Sequence, residues 1–449
     1  MTNKNKPNLA ERLKNIPFTP SKFPFFYGWI ILFAGVVGVL MSIPGQTMGV
    51  SVFTDYLLEA LHLSRIELSV AYMIGTVMSA LFITRAGRLY DRHGARPIAV
   101  VVAIMLGVSL LYLSKVDTVS AFFDNLLHLQ KSTLVTMILI TLGFFLIRFF
   151  GQGVLTMISR NMVMKWFDKR RGLVNAILGV SISFGFAYSP RLLNDMIEQF
   201  TWRGAWQILA LVSAVFFIIF AFVFFRDNPH MYGLIPDGKK IVRKRADVKG
   251  DSTGVDQTLK EARRTYNFWM FNLGMAMYAL YITAITFHIV SVFGVNGFSR
   301  EVAVAIFLPT ALVAVGFHFG GSWLSDYIRL KYLLWLFLAG MCLSMFALTR
   351  LDIDPVYKWL IIIGNGIAQG MFGVMSAVAW PRFFGLRHLG EISGYAMGWT
   401  VTGSAVGPSL FSLSLKYTGS YDMAGWILFV ITFVLLVMSL RIKRVVAAT

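Results

Sequence analysis

The sequence predicts an all-α integral membrane protein: twelve transmembrane helices arranged as two pseudo-symmetric six-helix bundles. Composition is the first reason. Of 449 residues, 57% are apolar and only 14% charged, with a mean hydropathy of +0.67, whereas a soluble chain is about half apolar and about a quarter charged. Distribution is the second, because the apolar residues gather in blocks of roughly 20 to 25, and about 20 are needed to cross the hydrocarbon layer. The third is a cation bias that alternates from one connecting segment to the next. Soluble enzyme and nucleic-acid binder are excluded as first readings, despite a formal charge of +19. The one cysteine, Cys342, lies inside an apolar block, so there is neither a disulfide framework nor a thiolate metal site.

Residues 1–26 form a polar, basic tail. The apolar run from Tyr27 to about Phe53 exceeds the roughly 7 to 15 residues of a signal-peptide core, and no small-residue cleavage site ends it, so it reads as the first span. Further blocks at 67–85, 98–114, 134–159, 172–193 and 204–225 complete an N-terminal bundle over 27–225. A polar central loop occupies 226–265. Blocks at 266–293, 302–325, 332–348, 356–380, 392–415 and 424–440 make a C-terminal bundle over 266–441, followed by a tail at 442–449.

With the amino terminus in the cytoplasm, the inside segments hold 31 of the 41 lysines and arginines, while acidic residues divide evenly. The asymmetry belongs to the cations, as the positive-inside rule requires. Both termini are expected in the cytoplasm, in a plasma or bacterial inner membrane. The run Lys239 to Arg245 reads as an inner-face linker beside anionic lipid rather than a nucleic-acid patch. The segment Asp117 to Lys131 reads as an outside loop with a short amphipathic surface helix.

The halves resemble each other. Gln152-Gly153, Ser159 and Arg170 match Gln369-Gly370, Ser376 and Arg387 at a constant offset of 217. Leu63-Ser64-Arg65 opens span 2 as Phe298-Ser299-Arg300 opens span 8, each serine placed to cap the helix that follows. Duplicated bundles of this kind put a binding site at their interface near the membrane midplane.

Between spans 2 and 3 stands Gly87-Arg88-Leu89-Tyr90-Asp91-Arg92-His93-Gly94-Ala95-Arg96. Its glycines permit a tight reverse turn, and Asp91 sits among arginines at helix ends whose dipoles favour cations. Spacing and placement resemble the loop 2–3 signature of the major facilitator superfamily, G-x-x-x-D-R-x-G-R-R/K, with Ala95 departing at one position. A degenerate second copy runs from Gly321 to Lys331 and keeps the acid as Asp326. Asn161 to Leu173, Pro190, Trp202-Arg203-Gly204-Ala205-Trp206 and Phe287-His288 resemble the monocarboxylate porter and oxalate/formate antiporter branch. Those families often carry a cation in span 8 or 11; here span 8 offers His318, and span 11 nothing charged before Lys416. The resemblance implies the major facilitator fold and alternating access, with Gly87, Asp91, Arg92, Gly94, Arg96 and Asp326 forming a conformational latch. The alternative for these residues is a topology and turn signal only.

A charged side chain at mid-membrane costs roughly 2.5–3.5 kcal/mol on insertion scales. Arg148, near the middle of span 4, is the one fully charged side chain so placed, and no acid lies deep in any span. Its planar fork suits carboxylate, and a positive cavity selects anions. Three readings stand together: anion contact, proton transfer, or a structural arginine bonding carbonyls. Around it the substrate-binding candidates are Gln46 in span 1, Tyr72 and Thr76 in span 2, Gln152 in span 4, Tyr278 and Tyr281 in span 7, and Asn365 and Gln369 in span 10. Thr47 joins Gln46 after Pro44-Gly45, a pair that loosens span 1 and frees carbonyls. Each of these is also a ready interhelical hydrogen bond. His288 and His318 are the deep groups that titrate near neutral pH, with His288 preferred for proton coupling. Glycine-rich span 11 reads as close helix packing.

No Walker loop, HExxH, CxxC pair, dinucleotide fingerprint or triad context appears, so an enzyme is not expected, nor a cofactor or metal. The expectation is a monomeric secondary transporter of a small organic anion, monocarboxylate-like, proton-coupled or exchanging, with the lipid bilayer and no nucleic acid as its surroundings. The alternatives are an exporter of amphipathic drugs or metabolites on the same fold, and a non-transporting receptor or assembly protein.

Overall fold

The computed structural model describes residues 15–126, 132–238 and 256–442. Residues 1–14, 127–131, 239–255 and 443–449, with the basic run Lys239 to Arg245 among them, lie outside it. Among the described residues, nine helices are long and apolar enough to cross a bilayer. One of these, Arg171–Phe224, is two spans meeting at a kink, where Thr201 takes φ 63° and ψ 167°, a conformation that β-branched residues avoid. The shorter helix Gly28–Leu40 and the glycine-rich helix Leu389–Thr418 bring the spans to twelve.

Span 1 is Gly28–Leu40, continued by the broken turns Ile43–Gly45 and Thr47–Ser51. Spans 2 and 3 are Arg65–His93 and Ala95–Ser114. Span 4 is Thr133–Trp166, interrupted by a π-helical stretch at Arg148–Leu155. Spans 5 and 6 share Arg171–Phe224, and span 7 is Tyr266–Val295. Span 8 comprises Arg300–Ala305 and Phe307–Ser325; spans 9 to 12 are Leu330–Leu348, Val356–Phe384, Leu389–Thr418 and Asp422–Ser439.

The serines expected to open helices do so. Ser64 Oγ accepts the Glu67 N–H at 3.3 Å while the Glu67 carboxylate accepts the Ser64 N–H at 2.8 Å, a reciprocal cap. Ser299 Oγ accepts from Val302 N at 3.5 Å. The loop 2–3 motif differs from expectation. Gly87 to His93 simply continue span 2, and the reversal is made at Gly94 alone, with φ 85°. Polar side chains at a helix end need no turn of their own, so composition could not separate the two arrangements.

The chain forms two compact units: Met1–Asp168 with Ser181–Lys240, and Lys169–Val180 with Ile241–Thr449. The first turns of span 5 therefore cluster with the second unit. In unit 1 the segment after span 3 forms a helix, Val116–Leu126, tied down by the Asp117–Arg203 ion pair and by Ser120 against Thr136 at 2.7 Å. In unit 2, span 11 lies so close to span 7 that a Cβ on Gly407 would stand 2.2 Å from the Leu280 carbonyl oxygen. Small residues permit that approach where lipid supplies no hydrophobic drive between helices.

Candidate functional site

The site in unit 1 begins with a fault in span 1. Proline has no N–H to donate, and after Ile43–Gly45 the chain goes extended at Gln46 (φ −81°, ψ 156°) before helix resumes at Thr47. This releases the Gly45 carbonyl. Span 4 meets the fault with its π-helical stretch, a local widening that often marks functional positions. The two backbones nearly touch, since a Cβ on Gly45 would lie 2.2 Å from the Ile147 carbonyl oxygen.

Arg148, the first residue of that stretch, is 3% exposed. Its Nη1 donates to the Gly45 carbonyl at 3.1 Å and to Thr47 Oγ1 at 3.3 Å. The guanidinium carbon lies 5.2 Å from the Tyr72 ring centroid, and the Tyr72 hydroxyl donates to Thr47 Oγ1 at 3.0 Å. Nε is buried without a partner, and Nη2 makes no hydrogen bond among the described residues. No carboxylate pairs with this cation among them. Thr47 is exposed and Tyr72 and Gln152 are half-buried, so partly accessible polar side chains flank a buried fork that has donor capacity to spare. Thr76, one turn beyond Tyr72, is buried, and its hydroxyl lacks a partner among the described residues. Gln46 turns elsewhere: its Nε2 donates to Ser42 Oγ at 2.9 Å and Thr156 Oγ1 at 3.3 Å, holding span 1 to span 4.

In unit 2 the same offset of 217 carries Arg148 to Asn365 and Gln152 to Gln369. Asn365 is buried, with Oδ1 unpartnered among the described residues, and Gln369 is exposed. Tyr278 is buried between Phe372 and Phe337, at centroid distances of 5.0 and 5.8 Å. Tyr281 lies fully inside and shares a 2.8 Å hydrogen bond with Ser344, a packing contact between spans 7 and 9.

The two histidines differ. His288 Nε2 donates to the Pro408 carbonyl at 3.0 Å, with Ser412 Oγ at 3.3 Å, and so fastens span 7 to span 11. His318 has a carbonyl oxygen at each nitrogen: Gly370 at 3.3 Å from Nδ1 and Asn175 at 3.3 Å from Nε2. A carbonyl only accepts and a neutral imidazole has one N–H, so both bonds exist together only in the imidazolium. Close by, Asn175 Nδ2 donates to Ser322 Oγ at 3.0 Å, and Asp326 accepts the Gly172 and Leu173 N–H groups at 2.9 and 3.3 Å. The acid of the second motif copy thus holds the N-terminus of span 5, where the helix dipole favours an anion.

In unit 1, Arg96 donates through Nε to the Phe225 carbonyl at 3.2 Å and through Nη1 to the Ile16 carbonyl at 2.9 Å. Beside it lies a cluster that sequence reasoning missed. Asp227 accepts from Ala95 N at 3.2 Å and from Lys165 Nζ at 3.1 Å, while Trp166 Nε1 donates to the Arg226 carbonyl at 2.9 Å. Burial lowers the Arg226 guanidinium from its usual range. Lys165 and Asp227 stand 62 residues apart, and their one shared signal is a position at or just past the end of an even-numbered span.

The sequence model of the Major Facilitator Superfamily matches residues 34–408. The chain belongs to the major facilitator superfamily. Members of that superfamily are transporters, and the twelve-helix fold of this one agrees with solved relatives. A bacterial homologue of the iron transporter ferroportin, in an outward-facing state, is 12% identical with a TM-score of 0.63, covering 92% of this chain and 98% of that one. The human organic anion transporter MFSD10 (TETRAN) is 14% identical with a TM-score of 0.59, covering 91% and 99%. The major facilitator transporter FucP, in an outward conformation, is 10% identical with a TM-score of 0.63, covering 92% and 98%. Among curated proteins, the uncharacterized transporter YybO of Bacillus subtilis (strain 168) is 21% identical over 415 residues, covering 87% of this major facilitator and 89% of that protein.

Proposed function

We propose that this major facilitator carries a small organic anion, monocarboxylate-like, by alternating access of the bundles 27–225 and 266–441, and acts as a monomer without catalysing a reaction. The observation that carries the reading is Arg148. A buried guanidinium with an unpartnered Nε, a free Nη2 and no carboxylate partner among the described residues has unused capacity for a charge-assisted pair. A purely structural arginine would spend its donors on protein oxygens; this one spends Nη1 alone. In unit 1, Tyr72, Thr76 and Gln152 beside Arg148 are proposed to replace the hydration of the anion; in unit 2, Tyr278, Asn365 and Gln369 are proposed as substrate contacts of their own bundle. The solved relatives share the fold at 10–14% identity and lend no weight to a substrate.

For coupling, the proposal rests on His318 ahead of His288. Protonation lets the ring hold Gly370 and Asn175 at once, which fastens the first turns of span 5 to spans 8 and 10. The hold is complete in the charged ring, and the neutral ring keeps one of the two bonds. His318→Gln is expected to abolish the dependence of uptake on a pH gradient while leaving substrate exchange within about threefold of wild type, since one amide N–H keeps one of the two bonds. Unchanged pH dependence removes His318 from the mechanism.

Both termini are proposed to face the cytoplasm, with the protein in the plasma or inner membrane. Uptake of labelled lactate, pyruvate, formate and oxalate into proteoliposomes, with and without a pH gradient, tests the substrate class. Saturable uptake of at least one acid is expected. No uptake of any acid, together with efflux of amphipathic compounds from cells, overturns the anion reading.

A further inference from the structure

Spans 8 and 9 both pack along span 10 and barely touch one another, leaving a cleft of about 480 Å³ in unit 2. Its walls are apolar: Val313, Phe317 and Leu324 of span 8, Leu333 and Leu336 of span 9, and Met371 of span 10. Gly316 and Gly320, one turn apart, keep it open, since a Cβ on either would meet nothing within 4 Å. From Val313 to Leu324 the helix advances roughly 17 Å, about half the thickness of the hydrocarbon layer. The cleft is thus about as long as one leaflet is thick.

One end of it is built for the headgroup level. Trp323 and Tyr327 are half-exposed on the span 8 lip, with ring centroids 5.0 Å apart. Across the opening, Lys331 Nζ lies 5.1 Å from the rings of both Tyr332 and Trp335 at the start of span 9. Tryptophan and tyrosine gather where hydrocarbon meets water, and a lysine there attracts anionic headgroups. Lys331 has no carboxylate partner among the described residues, and Asp326 in the adjoining turn is engaged by the Gly172 and Leu173 N–H groups.

We infer that the cleft holds one acyl chain of a resident anionic phospholipid whose phosphate sits on Lys331. The lipid would brace span 8 from the side of Phe317, while the next residue, His318, reaches the Asn175 and Gly370 carbonyls. The site is independent of the transported substrate, so it stands or falls separately from the anion reading.

The test is native mass spectrometry of the full chain, delipidated in mild detergent and titrated with phosphatidylglycerol or phosphatidylcholine of identical chains. Wild type is expected to retain one phosphatidylglycerol and to prefer it about fivefold, the effect of one cation near the headgroups. Lys331→Gln should equalise the two lipids. Gly320→Leu, which fills the open space, should lower retention of both at least tenfold, and an unchanged melting temperature in detergent alone confirms that variant's fold. If Gly320→Leu melts lower, Gly316→Leu takes its place. No headgroup preference in wild type, a preference that survives Lys331→Gln, or retention unaffected by filling the cleft each overturns the inference.

Discussion

Arg148 and Tyr281 show how two polar residues of similar burial take on different duties. Arg148 leaves donors unspent, while the Tyr281 hydroxyl is engaged by Ser344. The two therefore predict opposite phenotypes. Tyr281→Phe should lower stability by about 1 kcal/mol, the net worth of one hydrogen bond, and leave transport near wild type. Arg148→Lys keeps the charge but cannot reach Gly45, Thr47 and an anion together, so transport should fall about 10- to 100-fold, the loss of one or more hydrogen bonds to a charged group at roughly 1.5–3 kcal/mol. Uptake and melting temperature measured on both variants check the contrast. Arg148 was legible as a cation alone in a span. Thr47, Tyr72 and a carbonyl freed at Pro44-Gly45 are legible as its surroundings; that the Gly45 carbonyl itself takes Nη1 is not, because a backbone oxygen about a hundred residues away carries no side-chain signal. Gln46 and Tyr281 enter the expected site on polarity alone, which does not reveal that each already has a hydrogen-bond partner within its own unit.

The fault in span 1 and the π-helical stretch of span 4 work as a pair. Pro44-Gly45 made the first readable from sequence, whereas the second is set by packing and had no local cue beyond Gly151 and Gly153. Because the Gly45 Cα faces the Ile147 carbonyl, Gly45→Ala forces two backbones apart and moves the Gly45 carbonyl away from Arg148. Overpacking of this kind costs roughly 1–3 kcal/mol. A lower melting temperature and loss of uptake are expected together. A variant that melts lower but transports normally would show that the Gly45–Arg148 bond serves the fold alone. The start of span 5 is a similar case. Asp326 and Asn175 dock it on span 8 through backbone N–H groups and a side-chain amide, a pattern that the second motif copy hinted at only by keeping its acid.

The twelve-span fold was legible because hydrophobic length and cation bias are properties of whole segments and survive boundary errors of several residues. The clustering of Lys169–Val180 with the second unit was not, since nothing in a continuous apolar helix says where its neighbours change. Orientation is open to direct measurement. Cys342 is buried, so a cysteine introduced at an exposed position is the one that labels. Gly233→Cys, after span 6, should react with an impermeant maleimide only once right-side-out cells are permeabilised, and Asn296→Cys, after span 7, in intact cells. The reverse pattern would invert the topology. The proposal that Arg148 receives an organic anion is tested most directly by the thermal stability of purified protein with and without small carboxylates. Wild type should gain about 2.7 kcal/mol of stability at a hundredfold excess of ligand over Kd, and Arg148→Ala none. An equal gain in both proteins, or stabilisation of wild type by neutral compounds and by no acid, would contradict it.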